Sequence, residues 1–148
     1  MITVTKRRLL AAACGGALIL AGAATPAAAA DYRAMLNGDN LLPAGDSDGW
    51  GRVNIDVDDT LNQVCADIEV RSVGDVTAVQ VMRGEPGEGS PVVNLDTPDD
   101  DNDEDDCDTI GDELVDQIRA NPGEFYVEVR TSDFPHGAIR GLLEPSAD

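Results

Sequence analysis

One short stretch near the C-terminal end gathers side chains that could take part in catalysis. His136 is the only histidine of the chain, and Ser132 and Asp133 lie just before it. A serine activated by a histidine that a carboxylate orients is an arrangement for nucleophilic catalysis. Here all three residues lie in one short hairpin connection, where neighbours rarely converge on a pocket with an oxyanion hole. The sequence therefore predicts that His136 is exposed at the tip of a turn and that the chain is not an enzyme.

A second candidate site is the run of carboxylates DDDNDEDDCD, which ends at Asp108. Asp101, Asp103 and Asp105 alternate along it and could supply the oxygen ligands that calcium prefers. The usual calcium loop also needs a glycine at its turn and a glutamate at its twelfth position, and neither is in register. Mutual repulsion of the carboxylates predicts a solvated loop over residues 98–108. Calcium binding by this loop is the alternative function.

Two cysteines, Cys65 and Cys107, lie beyond the N-terminal thirty residues. In an exported chain an even pair most simply forms one disulfide. The other reading, a metal-binding pair of thiols, lacks a nearby histidine or a further cysteine. Cys65 lies on the polar side of a predicted strand, so the disulfide is expected to anchor the acidic loop to the outside of the sheet.

Export is predicted by residues 1–30, which have the features of a cleaved signal peptide. Lys6, Arg7 and Arg8 precede a mostly apolar run, and a small-residue segment then offers a cleavage site before Asp31. The apolar run is too short and too rich in alanine and glycine for a membrane span. Residues 31–148 are thus predicted to form one secreted domain without a membrane span.

The charge of this domain limits its partners. All 29 acidic residues but only seven of the ten basic residues follow residue 30, which gives residues 31–148 a net charge of −22. Such a surface repels nucleic acid and anionic membranes, so neither is expected as a partner. It is compatible with cation binding, with a basic partner, or simply with solubility in a salty exterior.

Short strands dominate the pattern of the domain. Val53, Ile55 and Val57 alternate with polar residues, and similar segments cover residues 32–36, 64–70, 76–82, 92–95, 125–131 and 138–143. Period-2 segments separated by turn residues predict an antiparallel sandwich or barrel. One short helix is predicted near residues 112–120, because an apolar stripe with acids in its first turn ends at Asn121-Pro122.

Three blocks of sequence carry a resemblance to a known family. They are MLNG with LLP (35–38 and 41–43), VQVMRG with GEG and SPVV (79–84, 87–89 and 90–93), and YVEVRT with PHG and IRGLL (126–131, 135–137 and 139–143). In this order they resemble the CHRD domain, first named from chordin and also found in secreted bacterial proteins, over about residues 31–145. The resemblance implies an immunoglobulin-like β-sandwich that is distantly similar to copper–zinc superoxide dismutases.

That similarity depends partly on a His-x-His strand and a later histidine, and this sequence departs from it at all three positions. Gln80 and Met82 stand where the first two histidines would be, and Arg130 stands in the third position. An arginine has no acceptor for a metal and stays protonated. A copper or zinc centre needs several nitrogen or sulfur ligands. We therefore expect no cofactor here, and a degenerate dismutase-like metalloprotein is the least favoured function.

Arg140 is the remaining polar residue of interest, because it lies in a predicted strand where burial would require a carboxylate partner. Glu128 on the neighbouring strand is the candidate for a structural ion pair. The leading hypothesis is thus a secreted, non-catalytic CHRD-type module. It would be structural or protein-binding at the cell exterior, and its partner is an unidentified extracellular or cell-surface protein.

Overall fold

The structure is a computed structural model that describes residues 30–40, 45–98 and 103–146. Residues 1–29 of the predicted signal peptide lie outside the described residues. The described strands are β1 (Ala30–Asn37), β2 (Trp50–Asp58), β3 (Gln63–Arg71), β4 (Val76–Arg83), β5 (Ser90–Leu95), β6 (Asp103–Thr109), β7 (Phe125–Thr131), β8 (Ile139–Leu142) and β9 (Glu144–Pro145). The helix α1 (Asp112–Ala120) lies between β6 and β7, and short 3-10 turns cover Gly38–Asn40 and Pro122–Glu124.

The strands pair antiparallel along one path, β5-β4-β7-β8-β1-β2-β3-β6, and β9 pairs with β1. The two ends of this path approach each other, because the backbone N–H of Asp96, next to β5, donates to the carboxylate of Asp106 on β6 at 3.1 Å. The sheet is therefore nearly closed into a barrel. The predicted all-β class with one short helix is confirmed, whereas the immunoglobulin-like sandwich is not, since the hydrogen bonds follow a single sheet.

Apolar side chains at alternate positions of the strands fill the inside of this sheet. Val53 and Ile55 of β2 lie opposite Ile68 and Ala66 of β3, and all four side chains are buried. The helix α1 adds Val115 and Ile118 to the same core. Because side chains alternate between the two faces of a strand, the polar residues between them form the outer face of the sheet.

The solvated loop predicted for residues 98–108 is wrong over its second half, which forms the edge strand β6. Cys107 lies directly opposite Cys65 of β3, and their sulfurs are bonded. Repulsion disfavours a strand formed by the acidic run alone, but here the run is bonded to β3 and continues its ladder. Residues 99–102 lie outside the described residues.

Candidate functional site

The positions that the resemblance associates with histidines lie on the outer face of β4 and β7, next to β8. Gln80 lies opposite Glu128 of β7, and Glu128 lies opposite Arg140 of β8. Two residues farther along the same strands, Met82 of β4 lies opposite Tyr126 of β7. The fold thus brings residues of β4 next to the β7–β8 hairpin, which lies far from β4 in the sequence. We refer to Gln80, Tyr126, Glu128, Arg130 and Arg140 as the polar cluster.

The Glu128 carboxylate is the centre of the polar cluster. Its Oε1 accepts a hydrogen bond from Nε of Arg130 at 2.8 Å, and its Oε2 accepts one from Nε of Arg140 at 3.1 Å. The Nη2 group of Arg140 contacts the same Oε2. The side chains of Glu128 and Arg140 are each only 3% exposed. Each of these two buried charges is stabilised by the other, because a single charge buried without its partner would strongly destabilise the fold.

A glycine-rich connection covers two members of the polar cluster, Tyr126 and Arg140, from outside. The Arg140 guanidinium lies 4.9 Å from the centre of the Tyr126 ring, within range of a cation–π interaction. The segment 84–89, GEPGEG, folds against both side chains, and a Cβ at Gly89 would come 2.6 Å from the Tyr126 hydroxyl oxygen. Gly87, beside Arg140, adopts a φ of +95°, which side chains rarely tolerate. The spacing of the glycines in this segment is the sequence signal that indicates this close approach.

The polar cluster is dominated by guanidinium hydrogen-bond donors, which pair with the carboxylate of Glu128. Two guanidiniums stand beside Glu128, and the Gln80 amide nitrogen donates to Asn94 at 2.6 Å. Guanidinium groups have no acceptor for a metal. Among the described residues, no group of three or more histidines, cysteines, aspartates or glutamates is arranged to hold a metal ion.

The structure does not assemble a triad around the lone histidine. His136 is exposed in a turn in which the Gly137 N–H donates to the Phe134 carbonyl at 3.1 Å. Ser132 and Asp133 are exposed in the same connection. These positions agree with the turn predicted from the sequence.

The calcium candidates lie only partly within the described residues. Asp103 and Asp105 belong to β6, where they lie opposite Glu69 and Asp67 of β3. Asp101 lies outside the described residues. Calcium binding therefore stays a prediction from the sequence alone.

The disulfide belongs to a row of positions that crosses four strands on the outer face. Asp31 lies opposite Asp56, Asp56 opposite Cys65, and Cys65 opposite Cys107. These residues line a shallow cavity of about 480 Å³. Burial raises the pKa of Asp56, and the nearby negative charges of Asp31 and Asp58 raise it further. Ionised Asp56 is thus less stable in the fold than in the unfolded chain.

Replacing Asp56 with asparagine should stabilise the protein in a pH-dependent way. A carboxyl whose pKa is higher in the fold than in the unfolded chain lowers the stability of the protein when it ionises. This loss begins as the pH rises above the pKa in the unfolded chain, near 3.9, and is complete above the pKa in the fold. We expect Asp56→Asn to raise the free energy of unfolding at pH 7 by up to about 0.5 kcal/mol, the scale of surface changes. The gain should vanish at about pH 3, where the carboxyl is protonated in both states.

Thermal melts of both proteins from about pH 3 to 7 would measure this effect. Asp133→Asn, which removes one negative charge from an exposed turn, controls for the change in net charge. A gain for Asp56→Asn that is equally large at both ends of the pH range would contradict the prediction.

Comparison with known proteins assigns most of the described chain to one family. A protein-family model of the CHRD domain matches residues 32–143, which include β2 to β8 and most of β1. The resemblance predicted from the sequence blocks is thereby confirmed. The family supports an extracellular type of module in general. Searches of the curated proteins and of the solved structures found no match. In the described ranges, no helix has the length and apolarity of a membrane span.

Proposed function

This chain belongs to the CHRD domain family, and from that premise we propose that it is a secreted, non-catalytic module that acts by binding or structural support at the cell exterior. One observation carries the non-catalytic part of the proposal. Arg130 and Arg140 fix the carboxylate of Glu128 on the outer face where the resemblance would put metal ligands. These side chains hold one another in place rather than leaving a reactive group available.

Two further features support the proposed location and mode of action. The Cys65–Cys107 disulfide suits an oxidising compartment, since cytosolic thiols are kept reduced. The formal net charge of −19 disfavours nucleic acid and anionic membranes and suits a protein that stays dissolved outside the cell. The binding partner would then be another extracellular or cell-surface protein. No contact among the described residues favours the calcium alternative.

Metal analysis tests the proposal directly. Protein purified from its native source, without chelators, should contain no stoichiometric copper or zinc by elemental analysis and should show no dismutase activity. The physical reason is that the three relevant positions are occupied by Gln80, Met82 and Arg130, which cannot form a set of nitrogen or thiolate ligands.

A matched variant makes this result informative. Gln80→His, Met82→His and Arg130→His, introduced together, restore the three histidines on the same backbone positions, and this triple variant should bind zinc or copper after incubation with the ion. Stoichiometric copper or zinc in the native protein, removed by a chelator together with an enzymatic activity, would show that the proposal is wrong.

A further inference from the structure

Among the described residues, four large hydrophobic side chains are exposed. Three of them lie on one face of the sheet. Met35 is 56% exposed, Trp50 is 43% exposed and Leu142 is 48% exposed. Trp50 lies opposite Asn37 of β1, and Asn37 lies opposite Arg140 of β8, so the three side chains belong to adjoining strands on the outer side. We refer to Met35, Trp50 and Leu142 as the apolar face. Grouped apolar side chains of this kind mark interaction surfaces more often than scattered ones do.

A pocket opens within the apolar face. It has a volume of about 280 Å³ and is lined by Met35, Pro86, Arg140, Gly141, Leu142 and Glu144. Its walls combine apolar and polar atoms, and Arg140 is held in place by Glu128 beneath the glycine-rich segment. Trp50 stands beside this pocket on the neighbouring part of the sheet. One face therefore carries both a partly exposed aromatic side chain and a recess of a size to receive one.

The charges around the apolar face are mixed, unlike those of the chain as a whole. Arg52 and Arg71 both pair with Glu69, at 2.9 and 3.1 Å. Arg33 lies opposite Glu144 across β1 and β9. Three arginines thus accompany two glutamates in a chain whose formal net charge is −19. This face can approach an equally acidic body with less repulsion than a surface with the average charge of the chain.

From these features we propose that the apolar face is a dimer interface, in which Trp50 of one copy of the chain enters the Met35–Leu142 pocket of a second copy. A two-fold interface uses the same patch twice, so it requires a surface that is complementary to itself. A side chain and its recess on one face, bordered by both arginine and glutamate, meet that requirement. This inference goes beyond the proposed function and does not depend on it.

The electrostatics of such a dimer give a distinctive signature. Two copies that each carry a large negative charge repel at long range, and salt screens that repulsion over about 10 Å at 0.1 M. The dimer should therefore become tighter as ionic strength rises. A complex with a strongly basic partner would instead become weaker with added salt.

Sedimentation equilibrium of the purified native chain at several concentrations and two ionic strengths tests the proposal. We expect a monomer–dimer equilibrium that shifts toward dimer in higher salt. Trp50→Ser should raise the dimer dissociation constant by about 30-fold or more, the effect of losing a central aromatic anchor. Leu142→Ser, which removes a wall of the pocket, should weaken the dimer in the same direction.

Leu61→Ser is the matched control, because Leu61 is 63% exposed but lies in the turn between β2 and β3, away from the apolar face. It should leave the dissociation constant unchanged, and circular dichroism would verify that all three variants are folded. A native chain that stays monomeric at every concentration and salt level would overturn the proposal and assign the face to a different partner. A dimer unaffected by both Trp50→Ser and Leu142→Ser would also overturn it.

Discussion

Replacing both Cys65 and Cys107 with serine is expected to lower the melting temperature by about 15 °C. The disulfide joins residues separated by 42 positions in the sequence, and the entropy of closing a loop of this length corresponds to about 4 kcal/mol of stabilisation. Serine keeps the size and exposure of the two side chains, so the loss should reflect the missing covalent link. Differential scanning calorimetry of the native and substituted proteins measures it.

The loss should also depend on salt, because the bond holds a strand with five acids among its seven residues, DEDDCDT, against β3. Without the bond, repulsion among those acids opposes the pairing, and added salt should stabilise the substituted protein more than the native one. Native protein melted under a reductant serves as an independent control and should approach the melting temperature of the variant. Equal melting temperatures for the native and substituted proteins would show that the disulfide does not hold β6 in place.

Glu128→Gln is expected to destabilise the protein by about 3–5 kcal/mol, the usual cost of removing one partner from a buried ion pair. The substitution keeps the shape of the side chain and removes only the charge that Arg130 and Arg140 share. Arg140 would then keep its charge in a position that is 3% exposed, without the carboxylate that it contacts in the fold. Urea unfolding of both proteins measures the difference in the free energy of unfolding.

Glu69→Gln is the matched control for this prediction. Glu69 is also held by two arginines, Arg52 and Arg71, but its side chain is 23% exposed and both arginines are more exposed still. Its substitution should cost no more than about 1 kcal/mol, because water already screens the pair. The double variant Glu128→Gln/Arg140→Met should cost less than the sum of its single variants. Equal losses in the free energy of unfolding for Glu128→Gln and Glu69→Gln would contradict the prediction that burial makes the Glu128 ion pair the more important one.

The strands could be predicted from the sequence because their signal is local. Val53, Ile55 and Val57 alternate with polar residues, and a half-buried strand needs no more than that. The helix was predicted with the bounds that it has in the structure, because its first turn is acidic and Asn121-Pro122 follows it. The family followed from short blocks that keep their order along the chain.

The pairing of β6 and the burial on the outer face of β7 could not be predicted, because both depend on contacts between distant parts of the chain. The acidic residues of β6 have no strand propensity by themselves, and their pairing with β3 follows from the bond between Cys107 and Cys65. In the same way, alternation along β7 indicates only that Glu128 and Arg130 lie on the outer face, and it does not show what covers that face. Segment 84–89 returns over Tyr126 and Arg140 beside them, and only the folded chain shows that return.

The position of β6 at the end of the strand path has a consequence for the behaviour of the protein at high concentration. An exposed strand edge is a template on which other chains can add strands, and this is a route to aggregation and fibre formation. An incoming edge of the same kind would bring the sequence DEDDCDT against an identical set of carboxylates. Charge therefore protects the open seam of the barrel against uncontrolled polymerisation. The disulfide keeps that protective strand in place even though its own residues repel one another.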